Sequence, residues 1–166
     1  NEVEELNHSL EQKVVDRTRE LQQSLETVRA LSNQQHGDYF LTSLLLKPLN
    51  RNYAASDFLD VEFFLRQKKK FVFKEKQYDI GGDLCTSHSI ELEGKKYISF
   101  LNADAMGKSM QGAGGALVLG AVFYSIIERT QVSASAANIS PERWLKNTFL
   151  ELHKVFESFD GSMLIS

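Results

Sequence analysis

Two aspartates that lie among small residues are the main candidates for functional side chains in this sequence. Asp83 follows Gly81-Gly82 and Asp104 precedes Ala105-Met106-Gly107, so each lies on a bend of small residues. Carboxylate oxygens are the hard ligands that magnesium and manganese prefer. Two carboxylates brought together repel each other, and a shared cation reverses that repulsion. The residue types therefore point to divalent-metal chemistry.

The stretch between the two aspartates predicts a β-hairpin that would bring them together. Glu93-Gly94 is the best turn signal in it. Residues that suit strands flank this turn, namely Ile90, Leu92, Tyr97, Ile98 and Phe100. With Glu93-Gly94 as the loop, Asp83 faces Asp104, and directly opposed residues lie about 4.5–5.5 Å apart. We therefore expect the two carboxylates to be neighbours.

Simpler interpretations of the same residues stay open at this stage. A four-residue loop extending through Lys96 would move Asp83 opposite Met106 and separate the pair. Aspartates near glycines are also ordinary turn and cap residues. Gly81-Gly82 suits either a close backbone approach to a ligand or a plain bulge at a strand entrance.

Length and composition indicate one globular domain. The chain has 166 residues, of which 42% are apolar, and a net charge of −3. This charge gives no reason to expect a nucleic-acid partner. The single cysteine, Cys85, excludes an internal disulfide and favours a reducing compartment. No apolar run approaches the roughly 18 residues of a membrane span. We expect a cytoplasmic protein or the cytosolic part of a membrane-anchored sensor.

A basic cluster lies ahead of the first aspartate. It comprises Arg66, Lys68, Lys69, Lys70, Lys74 and Lys76. Phe71 and Phe73 interrupt it, and this alternation predicts a strand with one solvated face. A phosphate-contacting or membrane-contacting patch is the alternative.

The amino-terminal residues, 1 to about 35, predict a long helix. A heptad pattern, the apolar seam, comprises Val3, Leu10, Val14, Leu21, Val28 and Leu31. Asn7, Arg17 and Ser24 interrupt the seam, and such polar positions can fix register and partner number. An isolated helix needs a packing partner in water. We expect a parallel homodimer through this helix, with a helix lying on its own domain as the alternative.

Two motifs that suggest nucleotide chemistry fail on spacing. Histidine kinases place a phospho-accepting His on a coiled-coil helix, and His36 suggests such a residue. Pro48 follows it by twelve residues, too late for that motif, and the kinase nucleotide boxes are absent. Gly107-Lys108-Ser109 ends like a phosphate-binding loop, but position 102, where that loop needs glycine, is Asn. A histidine-kinase-like module is therefore a distant alternative.

The remaining periodicity predicts further helices and strands. We expect short strands at residues 61–65 and 71–73, a helix over residues 113–129, and a last helix that begins at Ser140-Pro141. The amino end of the helix over 113–129 would favour an anion near Asp104. The last helix carries an apolar stripe that needs a packing partner, formed by Trp144, Leu145, Phe149, Leu152, Phe156 and Phe159. Residues 162–166 look like the opening of another strand.

The stretch from Tyr78 to Ala116 resembles the metal-dependent serine/threonine protein phosphatases of the PPM class, in the bacterial branch that regulates sporulation and stress sigma factors. That branch carries Gly-Gly-Asp, a hairpin, and Asp-x-x-Gly before a helix of small residues. Here these motifs are Gly81-Gly82-Asp83 and Asp104-Ala105-Met106-Gly107. Flanking segments extend the resemblance over most of residues 34–166. Separately, LEQKVVDRTRELQQSLETV resembles the coiled coils that join bacterial sensor modules to kinase or phosphatase outputs.

The resemblance implies a fold, a site and a reaction. The fold is an α/β (α+β) αββα sandwich, preceded by the coiled-coil helix. The site holds two manganese or magnesium ions, with Asp104 bridging them, the carbonyl of Ala105 bound to one and Asp83 beside the pair. Asp83 and Asp104 are thus the implied catalytic and metal residues. The reaction is hydrolysis of phosphoserine or phosphothreonine by a metal-activated water.

Two departures from the family pattern limit this reading. Many relatives have His-Gly or Asn-Gly where this chain has Lys108-Ser109, so no acid role is carried over to Lys108. The later aspartates of the family have no counterpart before Ser166, and Asp160 lies too early to replace them. We therefore expect residues 1–49 to form a signalling coiled-coil helix and linker, and residues 50–166 the amino-terminal part of a phosphatase domain, inactive alone.

The expected partner of the parent protein is a phosphorylated regulatory protein, for example an anti-sigma-factor antagonist. In this reading the helix would relay a signal to the catalytic loops. The alternative from a different class is a non-enzymatic, dimeric signalling scaffold with a degenerate site.

Overall fold

The computed structural model describes residues 2–57 and 59–166, which form a mixed α+β structure. The elements are α1 (Glu2–Leu46), β1 (Asn52–Tyr53), β2 (Lys69–Phe73), β3 (Lys76–Ile80), β4 (Asp83–Leu92), β5 (Lys95–Asp104), α2 (Met110–Val132), α3 (Ala134–Ala137) and α4 (Pro141–Glu157). The chain divides into two compact units after Asp38.

The first unit is the part of α1 that ends at Asp38. It contains no proline or glycine before Gly37, and the helix continues through Gly37 to Leu46. Every residue of the apolar seam is at least half exposed within this single chain. A face of this kind is stable in water only when another surface covers it.

The second unit, Tyr39–Ser166, is built on a three-stranded sheet in the order β1-β4-β5. The β4–β5 hairpin has the predicted register, with Leu92 opposite Lys95 and Asp83 opposite Asp104. Its two loop residues both have positive φ, 50° at Glu93 and 72° at Gly94. A two-residue loop of this kind matches the right-handed twist of the flanking strands, which fixes the register. The four-residue loop is excluded.

The β2–β3 hairpin forms a second, separate sheet and leads directly into the first aspartate. Phe71 faces Tyr78 across this hairpin, and both rings contribute to the core. The strand predicted at residues 61–65 is wrong, because that segment has no regular secondary structure. Apolar residues there suggested a strand, but none of the strands in the described residues pairs with them.

The carboxyl-terminal turns of α1 belong to the second unit and close one end of its core. Tyr39 contacts Phe71 edge-on at 5.5 Å between ring centroids, and Phe40 stacks on Phe73 at 4.4 Å. Leu46, the last residue of the helix, is buried. Pro48 lies just beyond the helix, because proline disfavours the helical conformation of the residue before it.

Helix α2 packs along β4 and forms the centre of the core. It begins at Met110, three residues earlier than predicted, and ends at Val132. By length and composition alone α2 could cross a membrane, with a mean hydropathy of 1.5 over 18 residues, although the sequence has no unbroken apolar run of that length. Half of that window is buried inside the fold, as in the core helix of a globular domain.

Helix α4 begins as predicted, with the Ser140 hydroxyl accepting a hydrogen bond from the Arg143 amide. Its buried residues follow a four-residue step, formed by Trp144 and Thr148 with the partly buried Leu152 and Phe156. The predicted stripe is therefore wrong at Leu145 and Phe149, which are 64% and 66% exposed. The stripe spans more of the helix circumference than the packing against α2 and the core covers.

Candidate metal centre

Asp83 and Asp104 lie directly opposite each other at the open end of the β4–β5 hairpin. The amide and carbonyl of Asp104 point away from β4, because both hydrogen-bond Ser166, at 2.9 and 3.1 Å. Asp83 and Asp104 are therefore a non-hydrogen-bonded pair. In such pairs the Cα atoms approach to about 4.5 Å and the side chains lie on the same face, closer than in hydrogen-bonded pairs.

The electrostatics of the pair are those of two carboxylates held together. Burial raises the pKa of Asp83 above its ordinary value of 3.8, and the charge of Asp104 raises it further. Asp83 is half-buried and Asp104 is exposed, so the pair faces solvent from a partly enclosed position. Ionising both groups is unfavourable unless a cation lies nearby.

A buried glutamine holds the backbone of Asp83 from outside the sheet. Gln67 is only 7% exposed. Its side-chain Nε2 donates to the Asp83 carbonyl at 2.7 Å, and its Oε1 accepts from the Asp83 amide at 3.4 Å. The absence of a side chain at Gly81 allows this approach, because a Cβ there would lie 2.1 Å from Oε1. No local pattern marks Gln67, because its partner is 16 residues away.

The two aspartate bends pack directly on each other through backbone atoms. The Ala105 amide donates to the Gly82 carbonyl at 3.0 Å. The Ala105 carbonyl oxygen occupies the space that a side chain at position 82 would need, since a Cβ on Gly82 would come within 2.1 Å of it. The same oxygen lies close to Gly112 in the first turn of α2. Gly82, which has no side chain, therefore allows the two bends to pack against each other.

Asn50 and Asn102 complete the polar surroundings of the pair. The amide of Cys85 donates to the Asn50 Oδ1 at 2.8 Å, which ties β4 to the segment after α1. The Cys85 thiol donates to the Asn102 Oδ1 at 3.2 Å on the face that carries the aspartates. Burial and the charge of Asp83 raise the pKa of this thiol, which disfavours a nucleophilic role.

The start of α2 lies beyond the second bend. Gly107 has a φ of 128°, and a Cβ there would lie 2.7 Å from Gln111, so both the backbone and the space favour glycine. The N-cap residue, Ser109, makes no side-chain cap hydrogen bond. Helix starts of this type favour negative charge nearby.

The donor set fits a divalent cation but is small. It consists of two carboxylates and the carbonyl of Ala105, all hard oxygen donors. Among the described residues no group of three or more His, Cys, Asp or Glu side chains is placed to hold a metal ion. The predicted site residues Asp83, Asp104 and Ala105 do come together in space. Their role as ligands stays a prediction.

The other residues considered in the sequence lie elsewhere. His36 belongs to α1, and His153 is exposed on α4, where it contacts Phe149 and lies 3.3 Å from Glu157. Asp160 lies in the turn after α4, with a φ of 47°.

In comparisons with known proteins, no family model, curated protein or solved structure matches the chain.

Proposed function

We propose that this chain carries the metal-binding hairpin of a PPM-type serine/threonine protein phosphatase. The observation that carries the proposal is the non-hydrogen-bonded pairing of Asp83 with Asp104. Two carboxylates in this position gain free energy from a shared divalent cation and lose it without one. The ordered Gly-Gly-Asp and Asp-x-x-Gly motifs add the family resemblance.

The proposed fold is the αββα sandwich of that class. It is supported by the arrangement of the second unit, in which α2 packs on one face of the β4–β5 hairpin. Leu84 and Ala103 point toward the core on that face, whereas Asp83 and Asp104 alternate with them and point to the other.

The protein groups would act by binding and orientation. Asp104 and Asp83 would hold manganese or magnesium, with the Ala105 carbonyl as a further oxygen ligand. When bound, such ions lower the pKa of a water molecule and make it a nucleophile at neutral pH. Gln67 would keep the Asp83 backbone in place. The start of α2 would favour the negative charge of a phosphoserine or phosphothreonine near the carboxylates.

In the parent signalling protein we propose that the substrate is a phosphorylated regulatory protein and that α1 forms the dimer. A non-enzymatic dimeric scaffold is the second candidate. One observation favours it: the described residues supply only two acidic ligands.

A stability measurement separates these candidates without relying on turnover. Without a divalent cation, Asp104→Asn should stabilise the fold by about 0.2–1 kcal/mol, because it removes a like-charge pair on opposed strands. With manganese added, the wild-type midpoint of thermal unfolding should rise and the Asp104→Asn midpoint should not. Asp79→Asn, which removes an exposed carboxylate from β3, is the matched control and should respond to manganese like the wild type.

The second experiment measures activity, as the manganese-dependent hydrolysis of p-nitrophenyl phosphate. It uses this chain and the longest parent protein that contains it. Hydrolysis that is lost with Asp104→Asn supports the phosphatase. Equal manganese shifts for the wild type and Asp104→Asn, with no hydrolysis by either protein, would favour the scaffold.

A further inference from the structure

The strongest positive charge in the molecule lies on the segment that leads into the candidate site. Residues 66–76 carry six cations and one anion, a net charge of +5 in a chain whose net charge is −3. We define the basic strip as Arg66, Lys68, Lys69, Lys70, Lys74 and Lys76. All six side chains are exposed. A strand face that is only exposed to water could carry charges of either sign. The single sign of the charge here therefore needs another explanation.

The cations of the basic strip are not used inside the fold. In the part of the chain that the structure describes, the ion pairs join other residues, and none involves the strip. Lys74 lies over the ring of its neighbour Phe73, 5.6 Å from the centroid. Like charges this close together repel, so the strip destabilises the isolated fold slightly and would gain from an anionic partner.

The basic strip is connected to Asp83 by two structural links. Lys69 pairs with Ile80, and the chain then runs through Gly81-Gly82 to Asp83. Arg66 and Lys68 flank Gln67, whose side-chain amide holds the Asp83 backbone. The strip therefore begins beside the carboxylate pair and extends from it along the β2–β3 hairpin.

The exposed surface of the hairpin also has features that a peptide could contact. Val72 is 56% exposed between Lys70 and Lys74 on the outer side of β2, and Phe64, shortly before the strip, is 92% exposed. Asp79 faces Lys70 across the hairpin, and Glu75 lies in its turn. A uniformly anionic lipid surface would meet these carboxylates unfavourably, whereas a peptide can place its acidic residues between them.

We propose that the basic strip docks the acidic segment around the phosphorylated residue of a protein substrate. The inference rests on the proposed function, because it takes the carboxylate pair as the place where the phosphate is processed. The strip supplies attraction for the phosphate and for neighbouring acidic residues, and so offsets the negative charge of Asp83 and Asp104. The interaction is electrostatic and should weaken as salt rises.

The test measures the binding of a synthetic peptide with one phosphoserine between glutamates, by fluorescence anisotropy at low salt without divalent cations. Lys68→Gln/Lys70→Gln should raise the dissociation constant about fivefold to tenfold, the loss expected for two exposed ion pairs. Lys146→Gln/Lys154→Gln on α4 removes the same charge from an exposed surface elsewhere and should leave the constant within about twofold. The unphosphorylated peptide should bind more weakly than its phosphorylated form.

Two outcomes would overturn the docking proposal: equal binding by both double variants, and no binding of the peptide. In the second case, binding to phosphatidylserine vesicles that depends on Lys68 and Lys70 would make a lipid surface the partner of the basic strip. Manganese-dependent hydrolysis with equal peptide binding would reject docking alone. Peptide binding that depends on the strip, without hydrolysis, would reject the phosphatase alone.

Discussion

At the residue scale, the site depends on backbone proximity as much as on carboxylates. The Ala105 carbonyl fills the position that a Cβ at residue 82 would occupy, so the two bends touch only because residue 82 is glycine. Gly81 and Gly107 also have close neighbours. The neighbour of Gly81 is the end of the Gln67 side chain, which can shift, whereas the neighbours of Gly107 are the Cβ of Gln111 and backbone atoms. Gly82 is the position at which an added Cβ would come closest to a backbone atom.

Gly82→Ala should therefore destabilise the fold by about 1–3 kcal/mol, the usual cost of overpacking. It should also separate the two aspartates, because the Ala105 bend must move. Gly114→Ala is the control. Apart from the backbone of its own helix, no atom of the described residues lies within 4 Å of a Cβ there, so alanine in α2 should stabilise the fold by about 0.5–1 kcal/mol. Urea unfolding measures both. A neutral Gly82→Ala would show that the Ala105 bend moves without cost.

The histidine at position 88 shows how burial can give a residue a structural role. His88 is 4% exposed and lies between the rings of Tyr53 and Phe123. Its Nε2 is 3.0 Å from the Thr86 hydroxyl, which donates to the Arg51 carbonyl, so Nε2 carries the proton in the neutral ring. Burial lowers the pKa of His88, and the charge of Glu128 opposes that shift. The residue packs the sheet, away from the two aspartates.

At the scale of elements, the β4–β5 hairpin positions the site. Its loop is two residues long, and both have positive φ, a conformation that glycine adopts freely and glutamate adopts at a cost. Alternation along the strands then sends Leu84 and Ala103 to the core and the aspartates to the opposite face. Any change of loop length would move one aspartate away from the other.

Changing the loop residues should alter stability in opposite directions. Glu93→Asn should stabilise the fold by about 0.5–1 kcal/mol, because asparagine tolerates the left-handed conformation better. Gly94→Ala should destabilise it by about 1 kcal/mol through backbone strain alone, since no atom lies within 4 Å of the added Cβ. Thermal unfolding measures both changes. The same sign for the two variants would mean that the positive φ angles are not the controlling factor.

At the scale of the whole molecule, α1 is a long helix whose apolar seam is not buried within a single chain. Its apolar seam is exposed at every position, from Val3 at 72% to Leu10 at 51%. Burying such a seam is the main source of stability for a helix of this kind. The exposed Arg17–Glu20 pair at 2.7 Å adds little, because both groups are in water.

We expect the wild-type chain to sediment as a dimer. Leu10→Glu/Leu21→Glu should convert it to a monomer and reduce its helical circular dichroism, because charges enter the seam. Gln12→Glu/Asn33→Glu adds the same charge on the opposite side of the helix and should leave the dimer intact. A monomeric wild type at micromolar concentration would contradict the coiled-coil interpretation. Dimers of all three proteins would indicate a different interface.

The local features of the sequence determined the hairpin, the start of α4 and the facing of the two aspartates. These follow from short-range chemistry: turn residues with positive φ, alternation of side chains along strands, and a serine cap followed by proline. The α1 helix and its apolar seam are likewise readable from periodicity. In each case the residues that decide the structure lie within a few positions of one another.

Only the tertiary structure decided what fixes the aspartates and which apolar residues are covered. Gln67 holds Asp83 from 16 residues away, Ser166 pairs with Asp104 from 62 residues away, and Gly112 lies against the Ala105 carbonyl. The packing of α4 against α2 also leaves Leu145 and Phe149 exposed, although their spacing predicts burial. Sequence periodicity describes one element at a time, whereas these contacts arise when elements distant in the chain pack together.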